Sequence, residues 1–219
     1  MRLMQAEQFI FHSKKCCKFG LRFLPLAVIE NALPASISNT LAVIVNTTLQ
    51  KENMKNKVVV IIGSSRNDGD TKRLVTELIN HSNFDTINLN DYNFSYYDYE
   101  HENSNDDYIK LTKRIIENYN TFIFATPVYW YAMSGIMKVF FDRITDLLDF
   151  EKELGRQLRT KKMAVITCSI GNNLGDNFWL PFIETSNYLG MEYIGNLHTL
   201  TDNINKTELK QFIEQINKN

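Results

Sequence analysis

What most limits the fold of this chain is a series of short, continuously apolar runs that alternate with segments of helical period. The first run is "KVVVIIG", residues 57–63. An unbroken run of that length fits a strand buried on both faces, as in a parallel sheet, and not a half-exposed strand of alternating pattern. "DTKRLVTELIN" follows, with Leu74, Val75, Leu78 and Ile79 at helical spacing. "DTINLN" is a second short strand. "DDYIKLTKRIIENY" is a helix with its acids first and bases later, as the helix dipole favours. "NTFIFATPVYW" holds a third buried strand, ended by Pro127, and "SGIMKVFFDRITDLL" reads as one long amphipathic helix. "KKMAVITCS" is a fourth strand. "NFWLPFIETSNYLG" is a helix with Pro181 tolerable only in its first turn and Gly190 placed as a C-terminal cap. "MEYIGNLHTL" is a fifth strand, and "KTELKQFIEQINKN" a closing helix.

Strands separated by helices imply an α/β doubly wound sandwich, a parallel sheet with helices on both faces. Ligands in such sheets bind beyond the carboxyl ends of the strands, where the strand order reverses. The loops after the first, third and fourth strands are therefore the ones that carry function.

Residues 1–53 differ from the rest. They hold six Lys/Arg and three Asp/Glu, a net charge of about +3 against about −4 for the remainder. Their apolar stretch "LPLAVIENALPASISNTLAVIV" is broken by Glu30, Asn31, Pro34 and Asn39. That is too broken to span a bilayer, which takes about 20 mostly apolar residues. It also starts too late for a signal peptide. A transit peptide stays open on the basic charge, although arginines are few. The segment reads as a disordered or weakly helical extension, with Met54 an alternative start, and residues 54–219 read as one domain. The net charge of −1 gives no nucleic-acid face. Cys16, Cys17 and Cys168 cannot all pair and lack metal-ligand spacing, which fits a reducing compartment such as the cytoplasm.

The first loop, "GSSRNDGDTKRL", is neither of the common phosphate fingerprints. Five residues separate Gly63 from Gly69 and Asp70 follows, so it is not G-x-x-x-x-G-K-[ST]; Ser65 replaces the second glycine of G-x-G-x-x-G. It still carries the parts of an anion site: amides at a helix N-terminus, the hydroxyls of Ser64, Ser65 and Thr71, and the forked charge of Arg66. A solvated turn is the plainer alternative. The third loop, "TPVYWYAMSG", sets Pro127, Tyr129, Trp130 and Tyr131 beyond a buried strand, where aromatics make a wall for a flat ring or a surface for a partner subunit. The fourth, "TCSIGNNLGDN", supplies small residues that let amides approach a ring edge. Together the loops point to a mononucleotide with a flat ring.

"GSSRNDGDTKRLV" followed by "TPVYWYAMSGIMKVFFDR" resembles the flavodoxin-like NAD(P)H-dependent FMN reductase family, over residues 57 to about 200. The resemblance implies a flavodoxin-like five-stranded parallel sheet of order 2-1-3-4-5, non-covalent FMN, NAD(P)H as co-substrate, and a homodimer. By position, Ser64, Ser65, Arg66 and Thr71 would hold the phosphate. Pro127, Val128, Tyr129 and Trp130 would line the isoalloxazine, and Ser169 and Gly171 would lie near its polar edge. Asp70 stands where related loops often have Asn; unless it turns away to cap the helix, it should weaken FMN. Lys138 and Asp142 are four apart and read as a structural pair. "NFSYYDYEHENSNDD" reads equally as a surface loop or as part of a dimer interface, and the four histidines form no cluster. No catalytic side chain is named, because the flavin carries the redox chemistry. The expected function is electron transfer from a nicotinamide to a small acceptor: a quinone, a nitro or azo compound, or free flavin. A flavodoxin-like electron carrier is the alternative, disfavoured by the mild charge of the domain, and a flavin-binding protein without turnover is a third.

Overall fold

In a computed structural model, which describes residues 57–219, every apolar run named above is a strand. The sheet comprises β1 (Val58–Ile62), β2 (Asp85–Asn88), β3 (Thr121–Pro127), β4 (Lys162–Ser169) and β5 (Glu192–Leu200). All four pairings are parallel, and the order is β2-β1-β3-β4-β5. The sheet is flavodoxin-like, as expected. The extension and domain boundary read at residues 1–53 lie outside the described residues.

The helices are α1 (Asp70–Asn80), α2 (Asp107–Asn118), α3 (Gly135–Asp142), α4 (Ile144–Asp149), α5 (Lys152–Arg156), α6 (Leu180–Leu189) and α7 (Lys206–Lys218). Alternate residues of each strand point to opposite faces of the sheet. Val58, Val60, Ile62, Ile123, Ala125, Ala164 and Ile166 therefore meet α1 and α7 through Leu74, Val75, Leu78, Leu209, Phe212 and Ile213. Val59, Ile61, Phe122, Phe124, Met163 and Val165 meet α2, α3 and α6 through Leu111, Ile115, Phe140, Phe141 and Phe182. Both faces are covered, which is why the strand sequences are continuously rather than alternately apolar. Gly190 caps α6 at φ +70, ψ 23, and Pro181 sits in that helix's first turn, as expected.

One expectation is corrected. The long helix over 134–148 is two helices that meet at Arg143, whose φ −70 and ψ −9 end one and begin the other. At this turn Arg143 is fully enclosed, and its guanidinium is held by carboxylates from two segments. Lys138 and Asp142 do pair along α3. The stretch 93–107 packs against this junction: Asp106 caps α2 by accepting from the Tyr108 amide at 2.9 Å, and also binds Arg143.

Because the strands are parallel, Ile62, Pro127 and Ser169 all leave the sheet at the same edge. The chain runs from β1 outward to β2, then returns to β3 on the other side of β1, so the order reverses at that point. The loops after β1 and β3 diverge there and open a crevice.

Candidate active site

The β1–α1 loop starts at Gly63, whose amide donates to the Ala125 carbonyl at 2.8 Å. A Cβ at Gly63 would come within 2.9 Å of the Met137 Cβ, so only glycine lets the loop pass this close to α3. Ser134 secures the contact. Its hydroxyl donates to the Gly63 carbonyl at 2.6 Å, accepts from the Met137 amide as the cap of α3, and its amide donates to the Thr126 hydroxyl at 3.0 Å. Further along, Asn90 donates to the Ser64 carbonyl at 2.5 Å, and both Asn88 and Asn90 donate to the Asn67 side chain. The loop is thus pinned by β3–α3 on one side and by the turn after β2 on the other.

Two cavities lie along this edge. The first, of about 380 Å³, is lined by residues that include Ser64, Arg66, Gly69, Thr71, Pro127 and Tyr129. The second, of about 300 Å³, is lined by Val128, Trp130, Tyr131, Ser169, Gly171, Asn173 and Leu174. Val128 and Ser169 line both. Nine of the ten residues named from sequence thus line one or both of these two cavities. Ser65 lines neither cavity; its hydroxyl lies 3.4 Å from that of Tyr129, where it ties the first loop to the third.

The first cavity is suited to an anion. Gly69 is the N-cap of α1 and supplies no side-chain acceptor, so the first-turn amides reach the cavity uncapped. Arg66 stands 4.0 Å from the Asp68 carboxylate, and both are largely exposed. Of the two alternatives for Asp70, a cap turned away or a charge left at the site, the structure does not show the cap, which is Gly69. Asp70 is the first residue inside the helix, lines the cavity, and pairs with Arg73 at 2.9 Å. Arg73 also reaches the Thr201 carbonyl at 3.3 Å, so the carboxylate is neutralised on the spot rather than turned away. Cys168 lines the same cavity, 3.9 Å from the Thr71 hydroxyl. Burial pushes its thiol up, away from the thiolate form.

The second cavity is bounded by a strained hairpin. Tyr129 and Ala132 exchange both backbone bonds, at 2.9 and 3.0 Å, across Trp130 and Tyr131. These two central residues have φ +52 and +62. Positive φ at both positions is the habit of Asn-Gly, and costs about 1–2 kcal/mol per bulky residue. The consequence is a fixed splay: Tyr129 faces the first cavity, Tyr131 faces the second and accepts from Asn173 at 3.4 Å, and Trp130 stands 96% exposed at the tip.

Sequence reasoning missed several members. Cys168, Ile170 and Thr201 enter because β4 and β5 end side by side. Ser169 also meets His198, at 2.7 Å between Oγ and Nε2. Burial lowers the basicity of that imidazole, with Glu208 pulling weakly the other way. Only the β4–β5 register brings the two together; no local signal links them.

Residues 56–205 match the family model described as NADPH-dependent FMN reductase. The chain belongs to that family. The enzyme is an oxidoreductase that uses FMN with NAD(P)H as co-substrate. It is 29% identical over 151 residues, 64% of this chain and 82% of the other, to a Bacillus subtilis protein described as an NAD(P)H-dependent FMN-containing oxidoreductase, YwqN. Among solved structures, the reductase resembles the Trp repressor binding protein of Bacillus subtilis, at 24% identity and a TM-score of 0.55, over 74% of this chain and 96% of that one. It also resembles the apo form of the NADH:FMN oxidoreductase EMOB, at 15% identity and a TM-score of 0.52, over 74% and 87%. At these identities the structural likenesses establish the fold.

Proposed function

We propose that the reductase holds FMN along the two adjoining cavities and passes electrons from NAD(P)H to a small, flat acceptor such as a quinone, a nitro or azo compound, or free flavin. The observation that carries this reading is the polarity of the site: an uncapped helix terminus with Arg66 at one end, an aromatic hairpin at the other, joined through Val128 and Ser169. Bound FMN supplies the redox chemistry, taking up hydride from the nicotinamide and releasing electrons to the acceptor.

The chain's own residues bind and orient. Ser64, Arg66, Thr71 and the first-turn amides of α1 hold the phosphate, with Ser65 bracing Tyr129 against that end. Pro127, Val128, Tyr129 and Trp130 form the apolar wall for the ring, and Ser169 and Gly171 meet its polar edge. A ring lying over exposed Trp130 is reached from solvent with little side-chain discrimination, which favours small flat acceptors over a protein partner. The cytoplasm and a homodimeric assembly belong to the same reading. The half-exposed Leu148 and Phe150 of the α4 end and the exposed Tyr188 of α6 give a second copy apolar surface to cover.

Arg66→Ala tests the reading. It should weaken FMN by roughly 1.5–3 kcal/mol, the worth of a charge-assisted hydrogen bond, and leave riboflavin unchanged. Equal weakening of both ligands in a fluorescence titration would remove Arg66 from the phosphate. Anaerobic bleaching of bound FMN by NADH and by NADPH in parallel then sets the nicotinamide preference.

A further inference from the structure

Ser169 lines both cavities and its hydroxyl has two protein partners. One is the Gly171 carbonyl at 2.8 Å, which can only accept, so the single Ser169 proton points there. The other is His198 Nε2 at 2.7 Å, which must then be the donor. This network assigns His198 the tautomer with its proton on Nε2. Thr167 pairs with His198 and Ser169 with Leu200, so the pleat sends Ser169 and His198 to the same face of the sheet. The Ser169 carbonyl is also held, accepting from the Thr201 amide at 3.0 Å. The hydroxyl is therefore fixed in direction, and its remaining lone pair is what it offers the site.

We propose that His198 is a positioning residue that makes Ser169 an acceptor-only group, and that this acceptor recognises the N3–H of the FMN pyrimidine ring. The inference rests on the cleft holding FMN as proposed above. The chemistry of the ring makes the choice. Along its polar edge the oxidised isoalloxazine carries one N–H donor, N3–H; N1, O2, O4 and N5 all accept. A hydroxyl free to rotate would serve any of them. One whose proton is committed to Gly171 serves N3–H alone. Burial disfavours a charged imidazole at this position, which keeps His198 a neutral, single-proton donor.

The test compares FMN with 3-methyl-FMN, which keeps the phosphate and loses the N3 proton. The wild-type protein should bind FMN roughly three- to tenfold more tightly than the methylated form, the range of one neutral hydrogen bond. His198→Leu frees the hydroxyl to turn, and the preference should fall to within about twofold. His198→Gln keeps an N–H donor of similar reach and should restore it. Ser169→Ala should abolish it, and serves as the deciding variant should His198→Leu fail to fold. Without any flavin, imidazole nitrogen shifts should report a proton on Nε2 and none on Nδ1. A wild-type preference that survives in His198→Leu or Ser169→Ala, or an Nδ1-protonated ring, overturns the proposal. Loss of the FMN-over-riboflavin preference in the wild type would instead strike the cleft reading itself. An intact phosphate preference with no effect of the methyl group strikes this inference alone.

Discussion

Arg143→Met should unfold the protein well below the wild-type temperature, although Arg143 touches neither cavity. Its side chain is fully enclosed. It binds Asp106 through two nitrogens, at 2.6 and 3.2 Å, the Ser95 carbonyl at 3.1 Å, and Asp146, which is itself 1% exposed. The guanidinium also stands 4.8 Å from the centre of the Tyr108 ring. Burial opposes its charge, but the hydrogen bonds it donates to Asp106 and Asp146 outweigh that and raise its pKa. Methionine fills the space of the stem and leaves two carboxylates without their guanidinium counter-charge. Removing one side of a buried ion pair costs about 3–5 kcal/mol. At about 2–4 °C per kcal/mol for a domain of this size, the melting temperature should fall by roughly 6–20 °C. Arg143→Lys keeps the charge but not the fork, and should fall in between. Adding Asp146→Asn to Arg143→Met removes one stranded charge and should recover part of the loss. The same cluster predicts an acid response. Burial raises the pKa of Asp106, but its bonds from Arg143 and from the Tyr108 and Ser95 amides prevail and hold it below the usual 3.8. A carboxyl lowered on folding contributes stability above its unfolded pKa and loses it as pH falls through the folded value. The wild type should therefore weaken below about pH 4, and Arg143→Met should show a flatter profile there. Thermal melts by near-ultraviolet circular dichroism, repeated from pH 7 to pH 3, read both effects. A loss under about 1 kcal/mol for Arg143→Met, or an unchanged acid limb, would refute the view that this guanidinium holds residues 95–106 onto the α3–α4 junction.

Three other outcomes are expected. Asp70→Asn removes a charge from the lining of the first cavity; FMN should tighten by no more than about tenfold, because Arg73 already offsets the carboxylate, and the gain should shrink with salt while riboflavin stays level. A titration in which FMN weakens would mean that Asp70 supports the site. Trp130→Gly removes an exposed ring and relieves a positive φ, so the flavin-free melting temperature should hold or rise while FMN binding declines; a destabilised apo-protein would contradict the strain argument. A chain beginning at Met54 should fold and bind FMN like the full chain, since the matched family segment starts at residue 56; a loss of more than about 2 kcal/mol would give residues 1–53 a packed role.

What the sequence determined by itself was whatever short-range patterning controls. The continuous apolar runs at 58–62, 121–127 and 162–169 mark strands covered on both sides, and α1 spans the same residues, 70–80, as its helical period. Gly190 and Pro181 mark helix ends because their own backbone geometry dictates it. The loops carrying Ser64, Arg66, Thr71, Val128, Tyr129 and Ser169 follow from strand order, since parallel strands deliver their carboxyl ends to one edge. Tertiary structure decided what depends on partners distant in the chain. Arg143 looks like any exposed helical arginine until Asp106 closes on it from 37 residues away. Asp70 has the composition of a cap, yet the cap is one residue earlier, at Gly69, and Arg73 takes up the charge. Ser169 and His198 are 29 residues apart and meet because two parallel strands place them on one face. Local sequence encodes backbone preference and burial pattern; a hydrogen bond between remote side chains exists only once the sheet register has brought its atoms within reach.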